Sequence, residues 1–201
     1  MKNQLITLLL ATLCFTSCGE DADDGTTATE EDGPDVAGTW VQSCKKGTDS
    51  DGKDEYQKKQ FTFADGKMTE TLFHYNDQAG CADADLAWRW DVSASYEVKG
   101  QGEIADTFAI IMKIEGSTFT IAASMVDFFN SQKICGKADW VSNTAVDITG
   151  NTDNCFFGSL LEDLKKAYPN GVSRSYKIND DGTMVMDEDG CLDNDHPFTK
   201  Q

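Results

Sequence analysis

From Trp88 to Lys99 the chain alternates without a break, with Trp88, Trp90, Val92, Ala94, Tyr96 and Val98 set against Arg89, Asp91, Ser93, Ser95, Glu97 and Lys99. A period of two puts the first set on one face of an extended strand and the second on the other, so this segment reads as a half-buried β-strand. Turn signals flanked by the same alternation recur on both sides of it. Phe61 and Phe63 lead into Asp65-Gly66, and Met68 to Tyr75 return from it. Phe108, Ile110, Met112 and Ile114 run toward Glu115-Gly116, and Phe119 and Ile121 lead away. Tyr176 and Ile178 precede Asp180-Asp181-Gly182, with Met184 and Met186 beyond. Three hairpins in one chain predict a mainly β fold, an antiparallel barrel or a strongly bent sheet.

Two segments depart from this period. Phe156 to Tyr168 places Phe157, Leu160, Leu161, Leu164 and Tyr168 on one helical face, and Pro169-Asn170-Gly171 ends it. Met125 to Asn130 is long enough for a short turn of helix, with Ser124 as its cap.

The first residues carry an address. Lys2 gives a short positive region, Leu5 to Ala11 an apolar stretch too short to span a bilayer, and Phe15-Thr16-Ser17-Cys18 the form of a lipoprotein processing box. Residues 1–17 are therefore expected to be a signal peptide and Cys18 the lipid-bearing residue, with a plain secretory signal as the alternative. Gly19 after the cysteine favours an outer membrane of a bacterial cell envelope over inner-membrane retention, and the choice between periplasmic and surface faces stays open. Eight of the seventeen residues from Gly19 to Asp35 are acidic and none is large and apolar. Such a segment cannot offset its ordering entropy by burial, so residues 18–35 read as a solvated tether and 36–201 as a single domain. The full chain has a formal charge of −18, and losing Lys2 with the leader makes it one unit more negative. A surface of that sign repels nucleic acid and anionic head groups, which leaves the lipid as the membrane contact.

Gly38-Thr39-Trp40 opens the first strand of this β-rich domain, followed by Cys44, by the hairpin at Asp65-Gly66, by Tyr75-Asn76-Asp77 and by Cys81. Cys135-Gly136, Asp139-Trp140 and the closing Lys200-Gln201 continue the pattern. Together these residues resemble lipocalin-like, calycin-type bacterial lipoproteins, related in pattern to the APCDD1-type domain of secreted Wnt antagonists. The resemblance implies a barrel in which Gly38 and Trp40 are structural, the tryptophan packing across the closed end. It also implies that inward faces of later strands line any cavity, which makes Phe61, Phe63, Trp88, Trp90, Tyr96, Ile110 and Met112 the candidate ligand-lining residues. The alternative is that these side chains simply fill the interior.

Of seven cysteines, Cys14 leaves with the leader and Cys18 takes the lipid, so Cys44, Cys81, Cys135, Cys155 and Cys191 remain for an oxidising compartment. Two disulfides and one free thiol are the simplest outcome, with about fifteen arrangements open. Cys44 with Cys81 would tie the first strand to the loop after the first hairpin, worth roughly 3–4 kcal/mol in the chain-entropy model. Cys135 with Cys155 requires a chain reversal near Ser142-Asn143-Thr144, because twelve extended residues would span about 40 Å. Cys155 with Cys191 competes with it.

No nucleophile elbow, zinc-protease helix, phosphate loop or dinucleotide fingerprint occurs, so no catalytic residue and no cofactor is expected. His74 reads as a hydrogen-bonded sheet histidine and His196 as a solvated one in an acidic tail. The acidic stretches Asp49 to Glu55 and Asp187 to Asp195 miss the spacing of a twelve-residue calcium loop and read as solvated, with no metal ligand assigned. The expected function is binding or carriage of a small apolar ligand in the barrel, without covalent chemistry. The alternative is a structural or interaction lipoprotein with a filled core, whose protein partner is not specified.

Overall fold

The computed structural model describes residues 33–48, 53–75, 81–188 and 191–201. Eleven strands form one antiparallel sheet, and eight of them close on themselves. In chain order these are β1 (Gly38–Gln42), β3 (Asp54–Ala64), β4 (Lys67–Tyr75), β5 (Leu86–Gln101), β6 (Phe108–Ile121), β8 (Val172–Ile178), β9 (Met184–Glu188) and β11 (Phe198–Lys200). Each pairs with the next, and β1 pairs with both β11 and β3. The result is an up-and-down barrel, an architecture of the lipocalin-like kind. Strand β2 (Lys45–Thr48) continues along β3 beyond β1, while β7 (Val146–Asp147) and β10 (Cys191–Leu192) are short additions.

The local sequence explains the joints. Asp65 and Gly66 both adopt positive φ, 50° and 71°, between the paired residues Ala64 and Lys67, the two-residue turn whose twist suits a hairpin. Gly182, at φ 80°, serves the β8–β9 hairpin, where the Asp181 carboxylate accepts from the Thr183 backbone N–H and hydroxyl. The third expected hairpin is absent. Strand β6 runs straight through Glu115-Gly116, which forms a bulge instead, since Ser93 pairs with Gly116 and Ala94 with Ile114. The inward residues therefore switch from Ile110, Met112 and Ile114 to Ser117, Phe119 and Ile121, which imitates two separate strands.

Strand β5 spans the barrel from end to end, its six alternating residues facing inward. At one end Tyr96 and Val98 join Trp40, Phe61, Phe63, Ile110, Tyr176 and Phe198 in a filled core. This end is closed by the segment that precedes β1. The Tyr176 hydroxyl donates to the Pro34 carbonyl at 2.9 Å, and the Trp40 indole N–H donates to the Val36 carbonyl at 2.7 Å. Gly33 lies so close to Tyr176, Phe108 and Val98 that a side chain there would collide with all three. The last residues of the expected tether, Gly33 to Asp35, thus belong to the barrel. Burial and nearby Asp35 push the Tyr176 hydroxyl up to about 12, so it remains a donor.

The other end is capped by residues 122–171, inserted between β6 and β8. They carry α1 (Val126–Gln132) and α2 (Phe156–Ala167). Ser124 makes no capping bond, because a 3-10 turn over Ala123–Met125 precedes α1 and absorbs it. The insertion has a small core of Phe129, Trp140, Ile148, Cys135 and Cys155, which continues into Phe119 and Ile121 of β6. Asn130 fixes its loop by donating to the Trp140 carbonyl and accepting from the Trp140 backbone N–H. Among the described residues two disulfides form, Cys44–Cys81 and Cys135–Cys155. The chain does turn back between the second pair, at Ser142-Asn143, with Asn143 at φ 55°. Backbone residues of Cys191 pair with Glu188 in the short β10 strand.

Candidate functional site

Between the filled lower end and the cap lies a cavity of about 230 Å³. Its position follows from side-chain size. Going up β5, the inward residues fall from Tyr96 to Ala94 and Val92 before rising again to Trp90 and Trp88, and β8 contributes Val172 and Arg174 at the same place. Met68 and Leu72 of β4 and Met112 and Ile114 of β6 complete the apolar wall. Helix α2 forms the roof with Leu160, Leu161 and Leu164, the face that the sequence pattern marks as apolar.

The helix can lie this low because of Gly158. It is buried, and a Cβ built there would stand 1.8 Å from the Asn151 carbonyl oxygen, so only glycine lets the loop and helix approach. Cys155 precedes the helix and is bonded to Cys135, which fixes the N-terminal end of the roof. At its other end, Tyr168, Pro169 and Gly171 frame a smaller recess of about 120 Å³ against Met112, Lys113 and Ile114. The two spaces share Met112, Ile114, Leu164 and Val172, so the recess opens beside the cavity along the seam between α2 and β6.

Three charged side chains also line the cavity: Lys59, Glu70 and Arg174. Each sits on an inward position, two residues from Phe61, Met68 and Tyr176 respectively. An Arg174 guanidinium nitrogen lies 3.6 Å from the Glu70 carboxylate, both side chains about three-quarters buried, and another contacts the Met186 sulfur at 4.0 Å. Trp90, on the same wall, has a buried indole N–H with no hydrogen-bond partner among the described residues. The wall is thus apolar with one charged arc, a composition that orients a bound molecule as well as holding it.

Of the seven candidate lining residues, Trp90 and Met112 border the cavity. Phe61, Phe63, Tyr96 and Ile110 instead pack in the filled lower core. Trp88 sits above the cavity, stacked on Phe119 and on His74, whose ring lies 4.7 Å away and nearly parallel. Trp40 packs in the lower core, with the Lys200 ammonium 5.2 Å over its ring, and Gly38 holds φ 120° with the Lys200 side chain where a Cβ would go. Cys18 lies outside the described residues, as do residues 49–52 and 189–190 of the two acidic stretches.

Both histidines differ from expectation. His74 is not held by a hydrogen bond at Nδ1, which is buried and has no partner among the described residues, and burial lowers its pKa. His196 is not simply solvated. Its Nδ1 lies 3.1 Å from Asp193, which also meets Lys45 at 3.4 Å, and its carbonyl accepts from Gln42. Burial would raise the Asp193 pKa, but the His196 and Lys45 contacts outweigh it and hold the carboxyl low.

The charged arc was missed from the sequence although it left a signal, namely charged residues standing on otherwise apolar alternating faces. No helix among the described residues is long and apolar enough to cross a membrane. No family model matches this chain and no curated protein matches it.

Proposed function

We propose that this is a lipid-anchored protein of the bacterial cell envelope that binds a small, mainly apolar molecule inside its barrel. The observation that carries the reading is the roofed cavity, an apolar chamber left open between two well-packed ends. Its volume falls between the roughly 150 Å³ of a cavity that takes up benzene and the roughly 300 Å³ at which drug-sized pockets begin. The resemblance to lipocalin-like lipoproteins supports the same reading. Binding and carriage need only the wall and a way in, and a recess borders the cavity along the α2–β6 seam.

The experiment is native mass spectrometry of the protein isolated from its own cell envelope, followed by denaturation and extraction. A discrete added mass that leaves on denaturation is the expected result. A bare protein that also takes up none of a panel of small apolar and amphipathic probes would overturn the reading. Anchoring is tested separately by Cys18→Ala, which should move the protein from the membrane fraction to the soluble one.

A second reading rests on the cap, where Phe156 and Val141 are about half exposed on an otherwise acidic protein. In it the barrel is a scaffold and the cap meets a protein partner. Crosslinking in cells through Val141 would then recover one partner, and the cavity mutations below would leave that crosslink unchanged.

A further inference from the structure

We infer that the cavity is built for a compact amphipathic anion, a carboxylate of about ten nonhydrogen atoms whose head is held at Arg174 and whose tail lies under α2. This rests on the interior-binding reading and narrows it to a ligand class.

Size sets the first limit. Benzene places six carbon atoms in a cavity of about 150 Å³, so the 230 Å³ here accommodates about nine or ten. That admits an eight-carbon carboxylate such as octanoate or phenylacetate and excludes a folded long-chain lipid, for which the filled lower core leaves no depth. Tyr176, Phe61, Phe63 and Ile110 there are each no more than 1 % exposed.

Charge sets the second. The protein carries a formal −18, yet a guanidinium, that of Arg174, stands on the cavity wall beside Glu70. An apolar ligand gains nothing from such an arc, and desolvating it is costly. Arg174 is also underused. A guanidinium offers five donors in a planar fork, and among the described residues it makes only a 3.6 Å approach to Glu70 and a 4.0 Å contact to sulfur. A ligand carboxylate can take the paired N–H groups that Glu70 does not, in the bidentate geometry that gives the strongest such bonds. The partnerless Trp90 N–H supplies a further donor on the same wall. The apolar lining from Leu160, Leu161, Leu164, Val92 and Ala94 then receives the tail.

The test is a titration of the full chain with octanoate, 1-octanol, octylamine and laurate, read by calorimetry and by tryptophan fluorescence, for which Trp90 is the local reporter. Octanoate should bind one to one and at least about tenfold more tightly than octanol, the increment of a charge-assisted bond. Octylamine and laurate should bind more weakly than octanoate. Arg174→Gln should bring octanoate down to the affinity of octanol while leaving octanol unchanged, and Glu70→Gln, which removes the competing carboxylate, should tighten octanoate. If octanol or octylamine binds as well as octanoate, the anionic head is wrong and interior binding survives. If laurate binds best, the size limit is wrong. If none of the four binds, interior binding falls with it. The comparison among ligands on the unaltered protein decides the matter even if a substitution prevents folding.

Discussion

Ala94→Leu tests whether the chamber is open in solution. Ala94 is 2 % exposed and its side chain points into the cavity between Met68 and Ile114. Leucine adds three carbon atoms. At about 25 Å³ per atom, the value implied by benzene in its cavity, they occupy roughly a third of the space. Burying them is worth at most about 2.4 kcal/mol at about 0.8 kcal/mol per methylene, less about 0.5–1 kcal/mol for fixing the side chain. A net gain of up to about 1.5 kcal/mol follows, or a rise in Tm of up to roughly 3–6 °C for a domain of this size. Leucine is no worse than alanine in a strand, so the backbone adds no opposing cost.

The control is Ile110→Phe, which enlarges a fully buried residue in the filled lower core and should cost about 1–3 kcal/mol by overpacking. Both variants are compared with the unaltered protein by guanidinium unfolding without ligand, followed by circular dichroism. If Ala94→Leu loses stability as Ile110→Phe does, the middle of the barrel is packed in solution and the chamber does not exist there. If it gains stability and octanoate binding weakens, the same space serves both.

His74→Gln should flatten the acid limb of stability. Burial depresses the folded-state pKa of His74 below its ordinary 6.5, so below that pH the unfolded chain takes up a proton the folded one resists, and stability falls as pH falls. Urea midpoints at pH 7.5 and 5.5 should therefore differ more for the unaltered protein than for the variant, and equal differences would remove His74 as the cause. Replacing both Cys135 and Cys155 by alanine opens a loop of sequence separation 20 and should cost roughly 3 kcal/mol. Hydrogen exchange should then rise across residues 122–171 while β3 to β5 stay protected, and uniform loss of protection would mean that the cap and barrel unfold together. Gly158→Ala forces α2 away from Asn151 and should lower both Tm and octanoate affinity, whereas an unchanged affinity would mean the roof does not depend on that approach.

The wall of the barrel was legible wherever one residue decides the geometry. The β5 alternation needs no partner to be read, because its period is local, and Asp65-Gly66 gives a tight turn by its own backbone preference. Helix α2 announced itself through its apolar stripe and the Pro169 stop. Glu115-Gly116 looked like the same signal as Asp65-Gly66 and was not. Its glycine is not at positive φ, and a Cβ there would meet the Thr149 hydroxyl at 2.8 Å, so the residue is small to admit the 146–149 segment rather than to turn the chain. Local composition cannot separate those two uses of glycine, since the close neighbour is thirty-three residues away in sequence.

The cavity lies beyond the reach of periodicity for a related reason. Alternation states that Ala94, Met68, Ile114 and Val172 face inward, and it says nothing of whether they face each other. Emptiness arises because three registers bring small or flexible residues of four strands to one level while aromatic ones collect above and below it. The charged arc obeys the same logic with a sharper local trace. Lys59, Glu70 and Arg174 each interrupt an apolar face, and a charge placed there by chance would cost several kcal/mol of desolvation unless it is paired or used. Glu70 and Arg174 meet at a distance that leaves most guanidinium donors available, so pairing alone does not explain why the barrel tolerates these two. Replacing Glu70 and Arg174 together with Gln and Met separates the explanations. A double variant that is more stable than the unaltered protein and no longer distinguishes octanoate from octanol would show that the pair costs stability and is retained for binding. One that is less stable and still binds octanoate more tightly than octanol would make it structural.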